Sequence, residues 1–310
     1  HYDLIVSQPS HPWLARLPRP TPRFRVFSGR SSFRRIALCR SSPSRQNRSP
    51  PHSRDPQSPC RSPYPWNSLM KQNSQPVALI TGASRGLGSY LAQEIGQLGY
   101  AVVIHYRSGA DRARRLARKI QALGTYALCA QGDLSNPSQV TRLFKQISRR
   151  FGRLDLVINN TGTYRPTPLL RTRPEDWFAG IHSTATATFL TTKSAIPLFP
   201  KSGGHIINIG DSASDRITPR KLAPGYHVGK IGVSLLTRSF ATQLVSRKIT
   251  VNQISPGYLE NSIDLPPPHK LPSGRPVSFP EVFSAVRYLL SPDASQVTGN
   301  NLIISGGWNL

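Results

Sequence analysis

The sequence lacks several features by which common classes of protein are recognised. It has three cysteines, Cys39, Cys60 and Cys129, without the CxxC or Cys/His spacing of a zinc site or a disulfide framework. No apolar run approaches the ~18 residues that a membrane-spanning helix needs. We therefore expect no metal site, no disulfide and no membrane partner.

Acidic residues are also scarce. The chain has 14 Asp and Glu against 40 Lys and Arg, which gives a formal charge of +26. This charge favours an anionic partner such as a phosphorylated cofactor or a nucleic acid, but it identifies neither. The 310 residues, 37% of them hydrophobic, are compatible with a sizeable buried core.

Residues 1–69 contain no Lys or Glu and are crowded with Pro, Ser and Arg. They show no sustained helical or alternating pattern, so we expect them to be disordered. They are either an organellar targeting peptide or a stretch that is not normally translated, since the only methionine is Met70. A start at Met70 predicts a cytoplasmic protein. Nucleic-acid binding through this segment is a minor alternative, because it has no recognisable binding motif.

Residues 70–310 alternate short apolar runs with segments that have helical three- and four-residue spacing. Continuous apolar strands separated by helices indicate a parallel sheet covered on both faces. We therefore predict an α/β fold: a Rossmann-type, doubly wound parallel sheet of about seven strands in a single domain. The predicted strands are 77–81, 101–106, 126–130, 154–159, 205–209, 249–255 and 301–305.

The first strand runs directly into TGASRGLG, which places Gly82, Gly86 and Gly88 at the turn before a helix. Glycine allows the backbone to turn tightly and approach a pyrophosphate, while the helix N-terminus offers free N–H groups to the anion. A glycine-rich string alone is weak evidence. Its position between a strand and an amphipathic helix favours a dinucleotide site.

The second strand ends at HYRSG, where an NAD enzyme would have a carboxylate for the ribose 2′-hydroxyl. Arg107 stands there instead, and Arg85 lies in the glycine turn, so two guanidinium groups can flank a 2′-phosphate. This favours NADP(H), unless Arg107 is one more exposed arginine of a basic chain. Asp133, after the third strand, could accept from the adenine amino group. Its alternative role is to cap the next helix, and the two roles are compatible.

Four strings resemble the short-chain dehydrogenase/reductase family: TGASRGLG, INNTG at 158–162, YHVGK at 226–230 and SPG at 255–257. Their order and separations match over residues 76–310, which is more specific than any single motif. The resemblance implies that SPG turns the backbone toward the nicotinamide and that a lid follows it. The cofactor contacts that it implies are Gly82, Ser84, Arg85, Gly86, Leu87, Gly88, Arg107, Asp133, Leu134, Asn160, Gly162, Tyr226, Lys230, Pro256 and Gly257.

Tyr226 and Lys230 are four residues apart, so on a helix they share one face. A neighbouring ammonium is expected to lower the pKa of a phenol by favouring its charged form. The resemblance implies that Tyr226 donates a proton to the substrate carbonyl and that Lys230 also holds the nicotinamide ribose. Such a pair alone is usually an ordinary exposed helix pair, and the upstream motifs favour the catalytic interpretation.

The family's catalytic Ser lies thirteen residues before the Tyr, but that position is Ala213 here. The segment HIINIG, which contains the fifth predicted strand, ends just before Asp211, so the strand register places Asp211 at the Ser position if the loop is two residues longer. Ser212 or Ser214 would restore the ordinary arrangement. We favour Asp211 on the strand register. The pteridine-reductase branch of the family also has Asp at this position, where an acid can act in a proton relay toward a ring nitrogen.

The family's Asn in the helix before the fifth strand falls on Thr184, counted from Trp177 and Phe189, which puts the usual water relay in doubt. The sequences PGYLENS and SGGWNL resemble those of the family's pteridine- and dihydrofolate-reducing members. The expected substrate is therefore a pteridine or dihydrofolate, with a 3-oxoacyl thioester on an acidic carrier protein or another ketone as the alternative. A non-catalytic dinucleotide-binding protein remains a further alternative. Relatives are usually homo-dimers or homo-tetramers.

Overall fold

The computed structural model describes residues 75–216 and 218–309. The expectations for residues 1–69, for Met70 and for Cys39 and Cys60 lie outside the described residues. Seven parallel strands form one sheet in the order β3-β2-β1-β4-β5-β6-β7, which confirms the predicted fold class. The strands are β1 Val77–Ile80, β2 Ala101–Tyr106, β3 Ala127–Gln131, β4 Leu156–Asn159, β5 Gly204–Ile209, β6 Ile249–Pro256 and β7 Asn301–Ile304.

Helices cover both faces of the sheet because the central strands are apolar on both sides. Val77–Ile80 is buried along its whole length, and so is Ala101–Tyr106. Leu79 lies between Val103 and Val157 in the register of the neighbouring strands. The helices are α1 Gly86–Gln97, α2 Ala110–Ala122, α3 Pro137–Phe151, α4 Pro174–Ile181, α5 Ala187–Ala195, α6 Pro224–Leu244 and α7 Phe279–Leu289.

Two hydrophobic cores result, one on each face. Leu91, Ile120 and Val286 belong to the core beneath α1, α2 and α7. Leu143 and Ala241 belong to the opposite core, beneath α3, α5 and α6. In the part of the chain that the structure describes, no helix is both long and apolar enough to cross a bilayer.

The strand order reverses beside β1. The chain proceeds outward from β1 to β2 and β3, and then returns to place β4 on the other side of β1. The loops after β1 and β4 therefore separate above the sheet and leave a crevice at the carboxyl ends of the strands. The fold thus prepares a ligand site where the glycine turn and the INNTG string both lie.

Candidate active site

A cleft of about 890 Å³ opens at the carboxyl ends of the strands. It brings together residues from the loops after β1, β2, β3, β4, β5 and β6 and from α6. Thr184 and Ser214 are not among its lining residues. The cleft is lined by all the residues predicted for the site: Gly82, Ser84, Arg85, Gly86, Leu87, Gly88, Arg107, Asp133, Leu134, Asn160, Gly162, Asp211, Ser212, Tyr226, Lys230, Pro256 and Gly257.

The glycine turn has a shape that side chains would prevent. Gly82 and Gly86 have φ values of +63° and +55°, a region that favours glycine. Gly88 lies in the first turn of α1, where a Cβ would come within 2.6 Å of the Gly82 carbonyl oxygen. The backbone is therefore folded tightly onto itself, and the start of α1 faces the cleft as a dinucleotide pyrophosphate requires.

His105 on β2 supports this turn, a role that the sequence reasoning missed. The Gly82 backbone N–H donates to His105 Nδ1 at 3.2 Å, and His105 Nε2 lies 3.0 Å from the Gly132 carbonyl oxygen. Burial lowers the pKa of His105 to about 4, so the ring is neutral at physiological pH. The neutral ring accepts at Nδ1 and donates at Nε2, and so joins the glycine turn to the loop after β3.

Arg107 and Asp133 lie together where the second and third strands end. Arg107 Nη1 is 4.0 Å from Asp133 Oδ2, and the Arg107 side chain is 60% exposed. Asp133 Oδ1 accepts from the backbone and the hydroxyl of Ser135 at 2.9 and 2.7 Å. The alternative that Asp133 caps the next helix is wrong, because Asn136 Oδ1 accepts the first N–H groups of α3. The Asp133 carboxylate therefore does not cap α3, and Asp133 lines the cleft.

Tyr226 lies in the first turn of α6, held there by close contact between α6 and α4. A Cβ on Gly180 of α4 would meet the Tyr226 backbone nitrogen, and a Cβ on Gly225 would meet the Trp177 carbonyl oxygen. These two glycines let the helices approach until their backbones nearly touch. Such an approach fixes the direction in which the Tyr226 side chain enters the cleft.

Lys230 lies one turn farther along α6, as predicted. It is 4% exposed, and its Nζ donates a hydrogen bond of 2.5 Å to the Ile209 carbonyl oxygen at the end of β5. Its Nζ lies 5.5 Å from the centroid of the Tyr226 ring. Burial lowers the pKa of Lys230 to about 8, although the Asp211 carboxylate acts in the opposite direction.

The pKa of Tyr226 changes in the opposite direction to our expectation. Burial raises it, and the negative charge of Asp211 and the neighbouring Tyr164 add to the increase. The expectation was wrong because spacing on a helix reports the nearby ammonium but not the loss of water around the phenol. Tyr226 in this protein is therefore a neutral phenol with a proton to give.

The structure distinguishes the three candidates for the Ser position. Asp211 lies in the cleft, two residues after β5, with its Oδ1 3.9 Å from Arg220 Nη2. Ser212 also lines the cleft, but it is 2% exposed and its hydroxyl accepts from Asn309 Nδ2 at 3.0 Å. Ser214 is buried away from the cleft, where Gln253 Nε2 donates to its hydroxyl at 2.7 Å. The geometry is consistent with Asp211 at the Ser position.

Thr184 lies in a π-helical turn, His182–Thr186, between α4 and α5. Its hydroxyl donates to the Gly180 carbonyl oxygen at 2.7 Å and lies 3.2 Å from that of Ile181. A Cβ on Gly229 of α6 would overlap this hydroxyl. Thr184 thus satisfies its own helix and packs against α6, and it points no polar atom into the cleft.

Several further cleft residues were not predicted from the sequence. All but His227, which follows Tyr226 on α6, come from loops, and only the tertiary fold brings those loop residues to Tyr226. The signal that was available was weak: an aromatic residue two positions after INNTG, and charges in the loops before α6 and after β6. These residues are Tyr164, Arg220, His227, Asp264, Trp308 and Asn309.

The chain is similar to known proteins over most of its length. The protein-family model for Enoyl-(Acyl carrier protein) reductase matches residues 82–309. The 3-oxoacyl-[acyl-carrier-protein] reductase of Synechocystis sp. is 35% identical over 238 residues, which cover 74% of this chain and 96% of the relative.

Two solved structures have the same fold. A short-chain dehydrogenase/reductase variant from Serratia marcescens has a TM-score of 0.71 and 27% identity, over 77% of this chain and 99% of its own. The landomycin C-6 ketoreductase with bound NADP and rabelomycin has a TM-score of 0.68 and 30% identity, over 75% of this chain and 95% of its own.

Proposed function

The chain belongs to the short-chain dehydrogenase/reductase family, and we propose that it reduces a 3-oxoacyl thioester to the 3-hydroxyacyl thioester with NADPH. The observation that carries the proposal is the meeting of Tyr226 and Lys230 with the glycine turn in one cleft. A proton donor and a dinucleotide site in one cleft are what carbonyl reduction by hydride transfer needs.

Each residue near the reacting carbonyl has its own role in the reaction. Tyr226 donates its phenolic proton to the carbonyl oxygen as negative charge develops there. The Lys230 ammonium stabilises the phenolate that remains, since opposite charges in a buried site interact strongly. Asp211, in the loop after β5, lines the same cleft. Its carboxylate orients the substrate. When bound, NADPH supplies the hydride.

The cofactor end fits a phosphorylated dinucleotide. The folded glycine turn leaves room for a pyrophosphate at the start of α1, where a side chain at Gly88 would be excluded. Arg107 and Arg85 are both exposed at the rim of the cleft and supply the charge for a 2′-phosphate. The ketoreductase with NADP bound is similar across most of this chain, which supports the same choice.

The relatives bear on the substrate. The Synechocystis relative is a 3-oxoacyl-[acyl-carrier-protein] reductase, so the substrate that we first kept as the alternative has the better support. The expectation of a pteridine or dihydrofolate receives no support from these relatives. It rested on Asp211 and on the sequences PGYLENS and SGGWNL, and neither feature excludes a ketone substrate.

The chain's partners follow from the same reasoning. An acidic carrier protein would complement the +26 formal charge. A second copy of the chain would cover apolar side chains on α4, α5 and α6, where Phe178, Phe189 and Leu235 are 53%, 40% and 67% exposed. We propose a homo-oligomer that buries this face.

The test is NADPH oxidation by the full chain against acetoacetyl thioesters of a carrier protein and of a small thiol, with dihydrobiopterin and dihydrofolate in parallel. We expect turnover of the thioesters. Tyr226→Phe should abolish most of it and keep NADPH binding, because the ring still packs but no proton is available. Turnover of the pterins alone would replace the proposed substrate. Unchanged NADPH oxidation by Tyr226→Phe would refute the role of Tyr226.

A further inference from the structure

The loop after β4 brings Tyr164 against the proton donor. The two rings meet edge to face, with centroids 5.2 Å apart, and the His227 ring lies 6.1 Å from that of Tyr164. Tyr164 is half-buried and lines the cleft. Its ring therefore bounds the space in which a substrate carbonyl must reach Tyr226.

The hydroxyl of Tyr164 reaches across the cleft. It donates to Asp264 Oδ2 at 2.8 Å, a contact between residues 100 positions apart in the sequence. Asp264 belongs to the segment 257–276 that follows β6, which we call the lid. Burial and the Asp264 carboxylate both raise the pKa of Tyr164, so its hydroxyl stays protonated and remains a donor.

The lid has an arrangement that its composition does not explain. Asp264 is half-buried, while its neighbours Ile263 and Leu265 are 75% and 37% exposed. A stretch governed by burial alone would turn the apolar residues inward and the carboxylate to water. The hydrogen bond from Tyr164 is the interaction that favours the observed orientation.

The base of the lid is attached separately. Backbone hydrogen bonds join Tyr258 and Glu260 to Val277, and the Trp308 ring packs edge-on against Tyr258 at 5.0 Å. Within residues 75–216 and 218–309, the bond from Tyr164 to Asp264 is the one hydrogen bond that joins residues 261–270 to a residue outside the lid. The outer part of the lid is thus held to the rest of the domain at Tyr164.

We infer that Tyr164 is a positioning residue that latches the lid over the substrate and sets the wall beside Tyr226. The inference rests on the proposed function, because it assigns the latch to that same reaction. Without the Tyr164 hydroxyl the lid spends more time open, so the substrate is held less tightly at Tyr226. Such a loss appears mainly in KM.

The experiment is a double-mutant cycle on the full chain, with acetoacetyl thioester reduction as the readout. Tyr164→Phe and Asp264→Ala should each lower kcat/KM about tenfold through KM, as expected for a hydrogen bond to a charged group. The double variant should fall no further, because both substitutions remove the same contact. Asp264→Asn keeps an acceptor oxygen and should recover most of the loss. Tyr126→Phe removes a phenol outside the cleft, one that accepts from Arg150 Nε, and should change nothing.

Trypsin cleavage after Lys270, an exposed residue of the lid, provides a second readout that needs no turnover. Mass spectrometry should find faster cleavage there in Tyr164→Phe and Asp264→Ala than in the native chain, because cleavage follows the open population. If the native chain reduces none of the thioesters, the proposed function fails while the cleavage rates still test the latch. Independent effects in the cycle, or unchanged cleavage after Lys270, would overturn the inference.

Discussion

Lys230 lies beneath Tyr226, with its Nζ 5.5 Å from the centroid of the phenol ring and 2.5 Å from the Ile209 carbonyl oxygen. The bond to Ile209 ties the ammonium to the end of β5, two residues before Asp211. The proton donor, its charged neighbour and the substrate-facing carboxylate are therefore positioned by one strand end and one helix turn.

Lys230→Met should stabilise the protein at neutral pH while it abolishes reduction. Burial lowers the Lys230 pKa from 10.5 to about 8, so below pH 8 folding must bury a charged ammonium. Relief from that cost should raise the free energy of unfolding by about 1–2 kcal/mol at pH 7.

The pH dependence of the free energy of unfolding tests whether burial of the Lys230 charge is the cause. Between about pH 8 and 10.5 the unfolded chain binds the Lys230 proton more tightly than the folded chain, so the native protein gains stability as pH rises through that window. Urea unfolding at pH 7 and pH 10 should show the advantage of Lys230→Met shrinking at the higher pH. A variant that is less stable than the native protein at both values would contradict this account.

Substitutions of Asp211, Ser212 and Ser214, the three candidates for the Ser position, should have different effects on kcat and on stability. Asp211→Ala should lower kcat about tenfold or more, because Asp211 alone of the three points a charged group into the cleft. Ser212→Ala should leave kcat nearly unchanged. Ser214→Ala should cost about 1 kcal/mol of stability, because it removes a buried partner of Gln253. Steady-state kinetics with thermal unfolding separates these outcomes, and a large kcat loss in Ser212→Ala would reassign the position.

Arg107→Ala should change the preference between cofactors. The exposed Arg107 guanidinium is expected to contact the 2′-phosphate, so kcat/KM should fall about tenfold with NADPH and by less than twofold with NADH. Arg149→Ala, an exposed arginine at the end of α3, is the matched control and should change neither value. Equal losses with the two cofactors would show that Arg107 supports the fold rather than the phosphate.

Gly88→Ala should weaken NADPH binding strongly. The new Cβ would lie 2.5 Å from Asn160 Nδ2 and 2.6 Å from the Gly82 oxygen, so the turn must open. We expect binding at least tenfold weaker by fluorescence titration, with a stability loss of about 1–3 kcal/mol. Gly99→Ala adds strain at a φ of +89° with no atom within 4 Å, so it should lower stability without affecting binding.

Leu235→Glu should dissociate the homo-oligomer. Leu235 is 67% exposed on α6, and the Phe189 ring of α5 stacks with the Phe240 ring of α6 at 6.2 Å. A carboxylate buried in an apolar interface without a partner is costly, so light scattering should report a smaller species than the native protein. Glu substituted at Val245, which is 59% exposed beyond the end of α6, controls for added charge. A native chain that is already monomeric would refute the proposed assembly.

Much of the fold and part of the site could be predicted from the sequence. Apolar runs and glycine punctuation are local properties, so they located all seven strands to within two residues at their ends. The YxxxK spacing likewise placed Tyr226 and Lys230 on α6, because helical geometry relates near neighbours. The role of Asp133 was harder to predict, because several polar residues before α3 could cap that helix. The structure shows that Asn136 is the residue that caps it.

The sequence by itself determined the sheet, the glycine turn and the pairing of Tyr226 with Lys230, because each depends on residues a few positions apart. Only the tertiary structure decided that Asp211 enters the cleft while Ser214 is buried, since a lengthened loop defeats counting along the chain. It also decided the contact between Tyr164 and Asp264 and the raised pKa of Tyr226. Burial and long-range contact arise from packing between distant segments, which no local spacing records.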